Sequence, residues 1–184
     1  MPFTETELEG VLIYEPQVFE DSRGHFFEAY NEAVFHQAGL MYKFVQDNQS
    51  FSKYGVIRGL HYQLNPNAQC KLVRVLEGSV LDVAVDIRKN SPTFGRYFSI
   101  ELSAENKKQL LVPHGFAHGF SVLTPTATVL YKCNALYSKQ SEGGIIFNDP
   151  DLAIDWKIPG GKALVSEKDF ALPSFKECEN NFEF

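Results

Sequence analysis

Ser79-Val80-Leu81-Asp82-Val83-Ala84-Val85-Asp86-Ile87 alternates along its whole length: Leu81, Val83, Val85 and Ile87 fall on one side of an extended chain, and Val80, Asp82, Ala84 and Asp86 on the other. A period of two over nine residues rich in β-branched side chains is the pattern of a strand. One face is wholly apolar and one mixed, as in a sheet whose inner surface lines a ligand pocket.

Working outward, segments of the same kind predict strands over 11–19, 26–30, 44–52, 56–63, 70–76, 97–102, 109–112, 118–124, 128–136 and 145–147. Turn signals such as Glu77-Gly78, Ser91-Pro92 and Thr124-Pro125 separate most of them. One helix is predicted near the N-terminus, over 31–38, with Asn31 as N-cap and Gly39 as the stop. The stretch from Pro159 to the end has weaker periodicity and is expected to hold short helices packed outside. Many short strands with few helices predict a mainly β protein, a β-barrel of the jelly-roll type whose closure hides sheet edges and leaves a mouth for a ligand.

The chain has 184 residues and no evident linker or repeat, so a single domain over 1–184 is expected. At that size folding buries roughly 70% of the unfolded surface, and disulfides are not needed. Cys70, Cys133 and Cys178 are odd in number, far apart and without metal-binding spacing, which suits reduced thiols in the cytoplasm. No signal peptide or membrane span is read. A net charge of −6 argues against nucleic acid, which needs a basic stripe, and leaves room for a small anion in a local cationic pocket.

The chemistry-bearing residues lie within the strands. Val56-Ile57-Arg58-Gly59-Leu60-His61-Tyr62-Gln63 carries a histidine, and Val129-Leu130-Tyr131-Lys132-Cys133 a tyrosine in an apolar setting. Period-two counting puts His61 with Ile57, Gly59 and Gln63 and turns Arg58 away, unless Gly59 marks a bulge. Tyr131 and Tyr137 share a phase but stand roughly 20 Å apart if the strand is unbroken, so Tyr131 is preferred as a neutral proton donor. Lys71 shares a face with Val73 and Val75, where a fixed charge suits an enolate oxygen. Each residue also has a bland reading, as a hydrogen-bonded histidine, a rim tyrosine or a snorkelling lysine. His114 and His118 are spaced for a metal only on a helix, which Gly115 and Gly119 break, so no metal site is read.

Taken together the segments resemble a known family. Asp21-Ser22-Arg23-Gly24, Phe44-Val45-Gln46-Asp47-Asn48, Arg58 to Gln63, Lys71-Leu72-Val73-Arg74, Asp82 to Arg88 and Pro113 to Phe120 stand in an order and spacing similar to the dTDP-4-dehydrorhamnose 3,5-epimerases, cupin-fold enzymes. The resemblance implies a cupin-type jelly-roll and an isomerase of dTDP-L-rhamnose biosynthesis that needs neither cofactor nor metal. It implies His61 as general base, Asp169 as its carboxylate partner, Tyr131 as the opposing acid and Lys71 as the cation near the enolate. It further implies substrate contacts from Arg23, Glu28, Gln46, Asn48, Arg58, His118 and Glu142, with Arg58 and His118 toward the diphosphate. A homodimer is expected, with the N-terminal segment of about residues 1–30 exchanged and the tail of about 159–184 packed outside.

The implied reaction inverts carbons 3 and 5 of dTDP-4-dehydro-6-deoxy-D-glucose. A single-carbon epimerase of a related sugar, a metal-dependent cupin and a non-catalytic sugar-nucleotide binder are the competing readings. His114, Cys70 and Leu136 depart from the family pattern. Of these, Leu136, before Tyr137, is the one expected to alter the sugar pocket.

Overall fold

The computed structural model describes residues 2–184. In chain order its strands are β1 (Phe3–Glu5), β2 (Leu12–Tyr14), β3 (Val18–Asp21), β4 (Gly24–Phe27), β5 (Gln46–Lys53), β6 (Ile57–Gln63), β7 (Lys71–Glu77), β8 (Ser79–Asp86), β9 (Tyr97–Ser103), β10 (Gln109–Val112), β11 (Phe116–Val122), β12 (Thr126–Cys133) and β13 (Glu142–Gly144). The helices are α1 (Glu32–Gln37) and α2 (Glu167–Phe170). One antiparallel sheet runs β1-β2-β10-β7-β12-β5, a second runs β13-β6-β11-β8-β9, and β3 and β4 form a separate hairpin.

The two large sheets bury their inner faces against each other. Val73, Val75, Val112, Ala127 and Val129 of the first meet Val80, Ala84, Leu102, Phe116 and Phe120 of the second in one cluster. This is the mainly β jelly-roll that the strand pattern predicts, of the cupin type that the resemblance implies. Every residue of β8 is buried, so both of its faces are covered. Its mixed face, with Asp82, looks into the interior. Leu81, Val83 and Val85 instead pack outward against Ile145, Leu152, Trp156 and Phe182. Behind the other sheet, Phe35 of α1 packs on Tyr14, Cys70, Leu72 and Leu111. Truncating this fully buried ring to alanine removes packing worth about 3–5 kcal/mol. The helix begins where predicted, because Asn31 Oδ1 accepts the Ala33 N–H at 2.9 Å.

Several predicted strands are displaced. The segment 11–19 is two strands, β2 and β3, broken around Pro16, which has no N–H to give a ladder. β1, a three-residue strand on β2, is too short to show a period. The strand expected at 26–30 lies at Gly24–Phe27, and the one expected at 145–147 is replaced by β13 three residues earlier. The strand expected to run to Leu136 stops at Cys133, where the Asn134 carboxamide oxygen takes the Cys70 N–H at 2.7 Å. No helix among the described residues is long and apolar enough to cross a membrane.

Candidate active site

Two adjoining clefts open between the sheets, of about 680 and 370 Å³, and His61, Lys71 and Tyr131 line both. His61 comes from β6, Lys71 from β7 and Tyr131 from β12. Arg58 shares the larger cleft with His61, so simple alternation fails on β6. The reason is a bulge: His118 pairs with His61 but Phe120 pairs with Arg58, so β6 spends one more residue than β11. Gly59 makes this feasible. Its φ is +130°, and a Cβ there would stand 2.6 Å from Gly119 Cα.

His61 Nε2 lies 2.8 Å from Asp169 Oδ1. Asp169 arrives from α2, more than a hundred residues along the chain, and its second oxygen accepts the Gly59 N–H at 3.2 Å. Its own N–H is held by Ser166, the N-cap of α2. Burial pushes this carboxyl up, but the hydrogen bond and charge of His61, the Gly59 N–H and the Ser166 hydroxyl together hold it below the usual carboxylate range. Such a carboxylate fixes imidazole orientation and supports the charge that imidazole acquires on taking a proton.

Across the cleft, burial raises the Tyr131 phenol above its ordinary value, Cys133 adds to this, and Arg58 opposes it. The ring therefore keeps its proton at neutral pH. Lys71 Nζ lies 3.4 Å from the His61 carbonyl and 5.9 Å from the centre of the Tyr131 ring. Burial lowers its pKa, with Cys133 and Asp82 opposing. A cation so placed, between a base and a phenol and partly shielded from bulk water, is suited to a developing oxyanion.

The remaining expected residues divide into two groups. Gln46, Asn48 and Glu142 line the smaller cleft and Arg58 and His118 the larger. Arg23 and Glu28 are not brought there: Arg23 is exposed on the β3–β4 hairpin, paired with Asp21, and Glu28 is exposed just beyond it. Tyr137 does reach the smaller cleft, because β12 ends early and the chain turns back. Its N–H is held by Gln46 Oε1 at 3.0 Å. Lys168, passed over in the sequence, also lines the larger cleft and bonds Glu142 at 2.6 Å. Its position beside Asp169 in a short capped helix was the available signal. Leu136 is 66% exposed and absent from both cleft linings, contrary to expectation. Cys70 faces Tyr42 behind the sheet, and exposed His114 bonds Asn134. No group of three or more His, Cys, Asp or Glu placed to hold a metal occurs among the described residues.

A jelly-roll barrel with a carboxylate-backed histidine, a protonated tyrosine and a half-buried lysine around one cleft is the architecture of an acid–base isomerase. The sequence profile described as dTDP-4-dehydrorhamnose 3,5-epimerase matches residues 5–177, and the chain belongs to that family. It is 52% identical to the dTDP-4-dehydrorhamnose 3,5-epimerase of Shigella flexneri over 180 residues, covering 97% of this chain and 98% of that one. The crystal structure of the dTDP-4-dehydrorhamnose 3,5-epimerase of Elizabethkingia anophelis NUHP1 superposes with a TM-score of 0.91 at 56% identity, covering 95% of this chain and 96% of that one. The dTDP-6-deoxy-D-glucose-3,5-epimerase of Legionella pneumophila Philadelphia 1, solved with dTDP-4-keto-L-rhamnose, also gives 0.91, at 45% identity over 95% of this chain and 93% of that one.

Proposed function

We propose that this chain inverts carbons 3 and 5 of dTDP-4-dehydro-6-deoxy-D-glucose to give dTDP-4-dehydro-L-rhamnose. The observation that carries the reading is the His61–Asp169 pair sharing a cleft with Lys71 and Tyr131. The ketone at carbon 4 acidifies the hydrogens on both neighbouring carbons. His61 removes one as a proton, the electron pair passes to the ketone oxygen, and Lys71 stabilises that enolate. Tyr131 then protonates the same carbon from the other face, leaving a phenolate and an imidazolium that reset through solvent. Repetition at the second carbon completes the product. Proton transfer beside a ketone involves no net oxidation, so the cycle closes on the chain's own groups.

Because both groups reset through solvent, turnover in deuterated water is expected to label carbon 3 and carbon 5. Label at a single carbon, read by NMR, would replace this reading with that of a single-carbon epimerase.

Arg58, His118, Gln46, Asn48, Glu142 and Lys168 hold the nucleotide sugar in this scheme. Arg23 and Glu28 reach it from a second copy, whose β3–β4 hairpin extends into this cleft; the exchanged part is narrower than the residues 1–30 expected from the resemblance, because β1 and β2 pair within their own chain's sheet. Support comes from the β3–β4 hairpin, which joins neither large sheet and exposes Phe19 and Phe26 at 56% and 71%. The test is complementation. An Arg23→Ala chain mixed with a His61→Ala chain regains activity if Arg23 serves the partner's cleft, since one cleft of the mixed dimer is then intact. No recovery on mixing would place Arg23 outside the partner's site. The three cysteines are free thiols, which supports a cytoplasmic setting.

A further inference from the structure

β5 is one of the two edge strands of the six-stranded sheet. Its neighbour β12, and β7 beyond it, direct Ala127, Val129, Val73 and Val75 into the interior. β5 instead places Gln46, Asn48, Ser50 and Ser52 on that side, at period two, and exposes Asp47, Gln49, Phe51 and Lys53 on the other. A run of four polar inner positions contributes nothing to an apolar core and is suited to an elongated polar ligand.

Three of the four are already engaged within the chain. Gln46 Nε2 donates to Asn48 Oδ1 at 3.0 Å, Asn48 Nδ2 donates to Cys133 Sγ at 3.6 Å, and Ser52 Oγ accepts from Arg58 Nε at 3.0 Å. Ser50 differs. Its hydroxyl oxygen is buried with no hydrogen-bond partner among the described residues, and Ser50 lines the larger cleft with Arg58, Lys71 and Tyr131. A buried hydroxyl left unpaired is unfavourable, and one staggered rotation about χ1 is enough to turn it to a ligand.

The position of Ser50 on the ladder selects the ligand group. It is one inner step, roughly 7 Å, from Ser52, which holds Arg58, and one step from Asn48, which pairs with Tyr131 across the ladder. It therefore lies between the anion-binding and the reacting ends. With its Nε occupied by Ser52, Arg58 keeps both terminal nitrogens free to fork onto an anion. We propose that Ser50 is a further substrate-binding residue, donating its hydroxyl hydrogen to a diphosphate oxygen of the nucleotide sugar, and that Ser52 is the positioning residue for Arg58. This rests on the substrate proposed above.

The test is calorimetry on the full chain with dTDP and with thymidine, which lacks the phosphates. Ser50→Ala is expected to weaken dTDP binding about tenfold, the size of one hydrogen bond to a charged group, and to leave thymidine binding unchanged. Ser50→Thr, which restores the hydroxyl, is expected to recover dTDP binding, and Ser50→Cys, a weak donor of similar size, to resemble the alanine variant. Ser52→Ala is expected to weaken dTDP binding in the unmodified chain but not on an Arg58→Ala background. Unchanged dTDP affinity in Ser50→Ala, or equal losses for both ligands, would overturn the role of Ser50 alone. Failure of the unmodified chain to bind dTDP would overturn the substrate reading and this inference with it.

Discussion

Two histidine–carboxylate pairs sit side by side in this molecule, and they are built differently. His61 and His118 face each other across the β6–β11 ladder. Each presents Nε2 to an aspartate, at 2.8 Å to Asp169 and 2.7 Å to Asp82. The His118 pair is sealed, with side chains 7% and 0% exposed, and its carboxylate comes from the adjoining strand β8. His61 is 34% exposed, and its carboxylate comes from a helix outside the barrel. A base must reach substrate and then release its proton to solvent, and of the two rings His61 has that access. The sealed pair is suited instead to a fixed place in the wall of the larger cleft, where it shapes binding.

Removing each ring in turn breaks the comparison most severely. His61→Ala is expected to lower kcat by roughly 10³-fold and to abolish solvent deuterium exchange, with substrate affinity little changed. His118→Ala is expected to act mainly on KM, with kcat reduced by no more than about tenfold. Steady-state kinetics on both variants decide the matter. A loss of exchange in His118→Ala equal to that in His61→Ala would erase the distinction.

The carboxylate behind His61 gives the next effect. Asp169→Asn keeps the shape but removes the charge that supports imidazolium, and kcat is expected to fall roughly 10²-fold. The same change carries a stability signature. Because the Asp169 carboxyl is held below its ordinary range, its contribution is present above that range and is lost as the pH falls through the folded value. Thermal melts of the parent chain are thus expected to drop more steeply in acid than those of Asp169→Asn. Parallel acid limbs would remove Asp169 from the account of stability while leaving the kinetic test standing.

The same contrast explains how much could be read from the residues alone. β8 and its alternation give the barrel directly, because both faces of that strand are buried and each records its surroundings. The identities of His61, Tyr131 and Lys71 were likewise legible as polar groups in apolar strands. Their meeting was not. The bulge at Gly59 shifts the phase of β6 by one residue, and strand counting cannot supply that shift. The early end of β12 depends on Asn134 finding Cys70 from another strand, a long-range bond with no local trace. Asp169 reached the candidate site through family resemblance, since a contact across more than a hundred residues leaves no periodicity to read.

Lys71 and Tyr131 sharpen the comparison least in size but most in what they separate. Both are ionisable groups half-buried on the inner face of one sheet, and burial drives them in opposite directions. It destabilises the charged ammonium, lowering Lys71, and destabilises the charged phenolate, raising Tyr131. As the pH rises, Lys71 therefore loses its charge before Tyr131 loses its proton. An enolate without its cation is costly in a partly desolvated cleft, so the alkaline fall in kcat/KM is expected to follow Lys71 and to begin below the ordinary lysine range. Lys71→Arg keeps a cation that does not titrate there and is expected to move the alkaline limb upward, even where its maximal rate is lower. Tyr131→Phe is expected to lower the plateau and leave the limb in place. A limb that moves with Tyr131 and not with Lys71 would reverse the assignment, making phenol ionisation, rather than loss of the oxyanion's counter-charge, the event that ends turnover.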